Sequence, residues 1–142
     1  MEIQQLSIFL ENKTGRLSAV TKALGDGDIN IRAMSASDTI DYGILRIIVD
    51  KPELALEKVR DAGFTASLTK VVAIGISDKP SALGQAMELL RDHHLSVEYL
   101  YAFTNQEHLA YVILRLDDNE TGAKVLAQNG IRVIAQEELG TI

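Results

Sequence analysis

The chain has 142 residues, enough for one ordinary domain or two very small ones, and 46% of them are hydrophobic, enough for a packed core. Its net charge of −6 disfavours a nucleic-acid partner, and the absence of cysteine excludes a disulfide framework, thiolate metal sites and thiol catalysis. No run approaches the roughly 20 apolar residues of a membrane span. Met1 to Gln5 lack the basic and apolar segments of a secretory leader, so a cytoplasmic location is expected.

Residues 3–10 alternate as a strand, with Leu6, Ile8 and Leu10 on one face and Ser7 and Phe9 on the other. A turn at Gly15 leads into a helix over 15–25 whose apolar positions are Leu17, Val20 and Leu24, stopped by Gly25-Asp26-Gly27. A second strand runs from Ile29 to about Ser37, a hairpin loop occupies Asp38 to Asp41, and a third strand runs from Tyr42 to Asp50. Pro52 starts a helix over 53–62, with Leu54, Ala55, Val59 and Ala62 inward and Gly63 beyond its end. A fourth strand follows from Phe64 to about Lys70, completing the order βαββαβ.

From Val71 the pattern repeats. A shift of 66 residues carries Leu6, Ile8 and Leu10 onto Val72, Ile74 and Ile76, Leu17 onto Leu83, and Leu24 onto Leu90. One extra residue in the second hairpin makes the shift 67, which carries Leu45 onto Val112, Ile47 onto Leu114, Asp50 onto Asp117 and Gly63 onto Gly130. The chain is a tandem duplication, with units at 1–70 and 71–142. Each unit predicts an α+β, ferredoxin-like arrangement, an antiparallel sheet with both helices on one face. The junction Lys70-Val71 leaves almost no linker, which ties the units closely. The helix-free face carries Phe9, Ile44 and Ile48. Such a face is ordinary apolar surface, or it is covered, most simply by a second copy of the chain in a homodimer.

The chemistry is sparse. The three histidines are His93, His94 and His108. The first two end a helix at a spacing that cannot share one helical face, which argues against a metal pair. No nucleophile–base pattern or metalloprotease motif is present, so no catalytic residue and no cofactor are expected. Tyr99, Tyr101 and Phe103 alternate as an RNA-binding sheet would require. The first unit has Ala33, Ser35 and Ser37 there, and the charge is wrong.

What remains is a matched pair of strand-to-helix turns. The first reads Asn12-Lys13-Thr14-Gly15-Arg16-Leu17 and the second Asp78-Lys79-Pro80-Ser81-Ala82-Leu83. A helix start offers unpaired N–H groups that suit a carboxylate, Gly15 permits close backbone approach, and Lys13 and Arg16 add positive charge. Asp78 is an N-cap candidate, with Pro80 at a position favoured in early helix. Both turns also read simply as well-capped junctions.

The tandem units, each opening with apolar strand, Asn or Asp, short turn, Gly or Pro, Leu and helix, resemble ACT domains, small regulatory modules that bind amino acids. The family turn reads Asn/Asp-x-Pro-Gly-x-Leu. The first unit keeps all but the proline, and the second all but the glycine, which Ser81 replaces. Asp28-Ile29-Asn30-Ile31 matches the family's second-strand signature, and Leu95-Ser96-Val97 matches it more weakly. The resemblance implies a non-catalytic regulator that binds a free amino acid where two units meet. One site would combine Asn12 to Leu17 with Ser96, Val97 and Tyr99; the other would combine Asp78 to Leu83 with Asn30 and Ile31. The regulated enzyme would be a separate chain. The alternative is an interaction module of the same fold that has lost ligand binding, for which Ser81 is the discriminating feature.

Overall fold

In the computed structural model, which describes residues 1–38, 42–105 and 107–142, the alternation of residues 3–10 builds strand β1, Ile3–Glu11. The chain divides into two compact units. The N-terminal unit is Gln4–Thr69, and the C-terminal unit is Lys70–Ile142 together with Met1–Ile3. The expected hairpin loop Asp38 to Asp41 falls largely on residues 39–41, which lie outside the described residues.

In the N-terminal unit β1 is followed by α1 (Arg16–Asp26), β2 (Ile31–Asp38), β3 (Tyr42–Val49) and α2 (Pro52–Asp61), and then by the first residues of β4 (Thr65–Ser77). The sheet order is β2-β3-β1-β4. The antiparallel register sets Leu6 opposite Ile47 and Ile8 opposite Leu45. Residues two apart on a strand share a face, so these four side chains point the same way. Val20 and Leu24 of α1 and Ala55 and Val59 of α2 close over them in a buried cluster. Each Val, Leu or Ile among them contributes about 1.5–3 kcal/mol through burial. Ala62, expected inward, is the C-cap residue directly after α2 and is exposed.

The C-terminal unit repeats the plan with the rest of β4, α3 (Ala82–Asp92), β5 (Val97–Thr104), β6 (Leu109–Leu116), α4 (Asn119–Gln128) and the two-residue strand β7 (Arg132–Val133). The order β7-β4-β6-β5 matches that of the first unit. Its core joins Val72, Ile74, Ala86, Leu90, Leu114 and Leu126. The side chain of Asn119 is buried and fully used. It donates to Lys70 O at 2.9 Å and Glu2 Oε2 at 3.1 Å, while its Oδ1 accepts from Leu116 N at 2.9 Å. The first residues of the chain are thereby held to the second unit. The Lys70-Val71 junction, where almost no linker was expected, lies inside a single strand. Nothing in that segment is a turn residue, and β4 continues through it.

The four α-helices among the described residues end alike. A residue with positive φ follows each: Asp28 at 55°, Gly63 at 93°, His94 at 57° and Gly130 at 82°. The next amide bonds back across the last turn, as in Ile29 N to Leu24 O at 3.0 Å and Leu95 N to Leu90 O at 2.9 Å. The Gly25-Asp26-Gly27 segment therefore does not stop α1 at its first glycine. The helix continues to Asp26, and the left-handed residue is Asp28.

The helix-free face splits in two. Ile48 is fully buried in the single chain, so it needs no second copy to cover it. Phe9 and Tyr42 remain 48% and 51% exposed, with their rings 5.2 Å apart. Tyr101 is buried and Phe103 stacks on Tyr111 at 5.1 Å, so these aromatics are packing residues rather than an open platform for bases.

Candidate functional site

The two turns have the same backbone. In the first, Lys13 N bonds to Glu11 O (2.8 Å), Arg16 N to Lys13 O (3.3 Å) and Ala19 N to Gly15 O (3.0 Å). In the second, Lys79 N bonds to Ser77 O (3.0 Å), Ala82 N to Lys79 O (3.3 Å) and Gln85 N to Ser81 O (3.0 Å). Gly15 caps α1 at φ 88°, ψ −6°, and Ser81 caps α3 at φ 71°, ψ −9°. Replacing glycine by serine has thus not changed the turn. Ser81, not Asp78, is the N-cap of α3, and Pro80 sits just outside the helix rather than in its first turn.

Beside the first turn lies a cleft of about 250 Å³. Asn12, Lys13, Arg16 and Leu17 form one wall. The other wall comes from the end of β2 and the start of β3: Ala36, Ser37, Gly43 and Ile44. The sheet register places them there, since Leu10 pairs with Gly43 and Ser37 with Ile44. Thr14 and Gly15 shape the turn without lining the cleft. Leu17 is 45% exposed, so it serves as apolar cleft wall and not as core.

The charge at the cleft is partly internal. Glu11 Oε2 lies 3.0 Å from Lys13 Nζ and 3.8 Å from Arg16 Nη2. The hydrogen bond from Lys13, then the charges of Lys13 and Arg16, hold the Glu11 carboxyl below its ordinary value of 4.5. Two cations share one carboxylate, which leaves a net positive rim. The Arg16 guanidinium also sits over the Phe64 ring, 5.8 Å from its centre.

Within each unit the second-strand residues lie far from the turn. Ile31 pairs with Val49, at the opposite end of the sheet from Leu10 and Gly43. Asn30 and Asp50 exchange bonds there, Asn30 N to Asp50 Oδ1 at 3.0 Å and Asp50 N to Asn30 O at 3.2 Å. Ser96 and Asp117 repeat this at 3.0 and 3.1 Å. Val97 and Tyr99 open β5 at the corresponding end of the other unit. Of the second turn's residues, Lys79, Pro80, Ser81 and Ala82 border a separate cleft of about 350 Å³, while Asp78 and Leu83 do not. Among the described residues no group of three or more His, Cys, Asp or Glu is placed to hold a metal ion. Among them, too, no helix is long and apolar enough to cross a membrane.

The chain matches the family model of the ACT domain pair over residues 1–142. It belongs to that family. This ACT domain pair is also similar to a protein from Bacteroides thetaiotaomicron of known crystal structure. The two share 35% identity at a TM-score of 0.95, covering 100% of this chain and 98% of that one. The ligand-free regulatory subunit of aspartate kinase from Thermus thermophilus matches at a TM-score of 0.63 and 16% identity, over 89% of this chain and 92% of that one. Its counterpart from Thermus flavus matches at 0.61 and 14%, over 90% and 92%. At those identities the likeness is one of fold. No curated protein matches the chain.

Proposed function

We propose that this ACT domain pair is a non-catalytic, cytoplasmic sensor that binds a free amino acid at the first turn and acts on a separate regulated protein. The cleft between the Asn12–Leu17 turn and the β2–β3 wall carries this reading. Its volume of about 250 Å³ lies below the roughly 300–1,000 Å³ typical of drug-sized ligand sites, which suits a small metabolite. Lys13 and Arg16 offer charge to a carboxylate, Asn12 and Ser37 offer polar atoms, and Leu17 and Ile44 give the apolar wall a side chain requires. A ligand bridging the turn and the strands adds contacts present in only one arrangement of the cleft, and so shifts the population toward it.

The test is a thermal-shift screen with each amino acid. A ligand at ~100 times its dissociation constant stabilises by about 2.7 kcal/mol, which raises the midpoint by roughly 5–10 °C in a chain of this size. Asn12→Ala should shrink that shift, and Ser37→Trp, which fills the cleft, should abolish it. If no amino acid at millimolar concentration moves the midpoint, the sensor reading fails. If one does and neither variant alters the effect, the site is elsewhere.

A further inference from the structure

The 350 Å³ cleft of the C-terminal unit is not a copy of the cleft at the first turn. It lies on the other flank of its turn, bordered by Gly130 and Ile131 beyond α4 instead of by the paired strands β5 and β6. The repeat identifies its true counterpart: a pocket of about 110 Å³ in the N-terminal unit, lined by Phe9, Glu11, Arg16, Gly63 and Phe64. The equivalent residues in the C-terminal unit are Gly75, Ser77, Ala82, Gly130 and Ile131, and all five line the larger cleft. Four of these side chains have become smaller ones; Thr65, which also lines the smaller pocket, is matched by the larger Arg132, which does not line the cleft.

A Cβ at Gly75 would make only ordinary contacts, with Ile134 at 3.5 Å and Tyr111 at 3.6 Å, so packing does not by itself require glycine there. In the N-terminal unit Arg16 lies over Phe64 and plugs the space, with Glu11 holding Lys13 at 3.0 Å. In the C-terminal unit Ala82 and Ile131 remove the plug. Ser77 removes the carboxylate, while Lys79 keeps the cation of Lys13. Among the described residues Lys79 has no ion-pair partner. The cleft thus combines one unengaged cation, the hydroxyls of Ser77 and Ser81, the amide of Gln85 and an apolar wall of Ile76 and Ile131.

We propose that this cleft is a second, non-equivalent ligand site, which takes a small carboxylate with a short apolar tail. The carboxylate meets Lys79 and the serine hydroxyls, and the tail lies against Ile131. The site stands whether or not the first cleft binds an amino acid.

The probe is butyrate, with butylammonium as a four-carbon control of opposite charge. Both are titrated into the full chain and followed by backbone amide resonances. Butyrate is expected to move the amides of Ser77, Lys79, Ala82, Gln85 and Gly130 saturably, and butylammonium to leave them in place. The variant Ala82→Arg with Ile131→Phe rebuilds the plug that the N-terminal unit already carries, and the response should vanish. Lys79→Ala, an exposed change with no packing consequence, should weaken binding about fivefold, as loss of an exposed charge pair allows. Equal responses to both probes, a response that survives the plug, a response at Asn12 and Ser37 instead, or none at all would each overturn the proposal. None of these bears on the amino-acid screen, whose readout is the first cleft.

Discussion

Ser81 holds a backbone conformation that a side chain resists. At φ 71°, ψ −9° it occupies the left-handed region, which costs an L-residue about 1–2 kcal/mol. Its side chain makes no capping hydrogen bond, so nothing is lost with it. Replacing it by glycine removes the strain but frees the unfolded chain, at a cost of about 0.4–1 kcal/mol. The balance predicts that Ser81→Gly stabilises by about 0.5–1 kcal/mol. With a urea m-value of about 2 kcal/mol/M, the midpoint should rise by about 0.3–0.5 M with the slope unchanged. The reciprocal change checks the sign. Gly15 has φ 88° and open space around a built Cβ, so Gly15→Ser should cost a similar amount through strain alone, without a clash. Urea unfolding of both variants followed by circular dichroism measures the pair. If Ser81→Gly lowers the midpoint, or Gly15→Ser raises it, backbone strain does not govern these turns and their equivalence is superficial.

Gly122→Ala should destabilise by about 1–2 kcal/mol, because a Cβ there would lie 2.2 Å from Leu116 Cδ1 and overpacking outweighs the gain in helix propensity. Gly84→Ala, in α3 with nothing within 4 Å, should stabilise by about 0.5–1 kcal/mol, and the same urea assay reads both. Acid should weaken the fold through three carboxyls held below their ordinary values. These are Glu11 through Lys13, Asp118 through the Thr121 hydroxyl and amide, and Glu138 through the Ala135 amide and then Arg132. A lowered pKa stabilises the folded chain above the ordinary value. Their contributions should therefore be complete above the ordinary 3.8 of Asp and 4.5 of Glu, and fade as the pH falls through the folded-state values. Melting followed from pH 6 to about 3 checks this, and Asp118→Asn should flatten the slope.

The sequence revealed the parts of the fold that depend on local pattern. Alternation located β1, richness in Ile and Val located β3, helical spacing located α1 and α2, and the 66- and 67-residue shifts carried those assignments into the second unit. The turn residues of the first cleft were legible for the same reason, since a strand, a glycine and a helix are contiguous. Ala36, Ser37, Gly43 and Ile44 were not. They reach the cleft only through the register that sets Ser37 against Ile44 and Leu10 against Gly43, and register is a long-range property. Asp28 and His94 hid for a different reason. Glycine is the usual sign of a left-handed residue, and at these two positions the backbone takes that conformation with other side chains.

The two units separate what the fold requires from what a site requires. Where only a backbone conformation is needed, the residue has drifted: Gly15 against Ser81 at the helix start, Asp28 against His94 at the helix end. Where a side-chain atom makes the bond, it has stayed. Asp50 and Asp117 are both aspartate, because each carboxylate accepts the amide at the start of the neighbouring strand. Arg16 and Ala82 fit neither case. Their amides make the same turn bond at the same 3.3 Å, so the fold gains nothing from the difference. The change from a stacked guanidinium to a methyl group alters only the surface beside the turn. Selection on folding alone would leave such a position free to vary in any direction. Here the change comes with Phe64 to Ile131 and Glu11 to Ser77, the counterparts of the ring and the carboxylate that Arg16 itself touches, so the three exchanges together remove one set of contacts and enlarge one space.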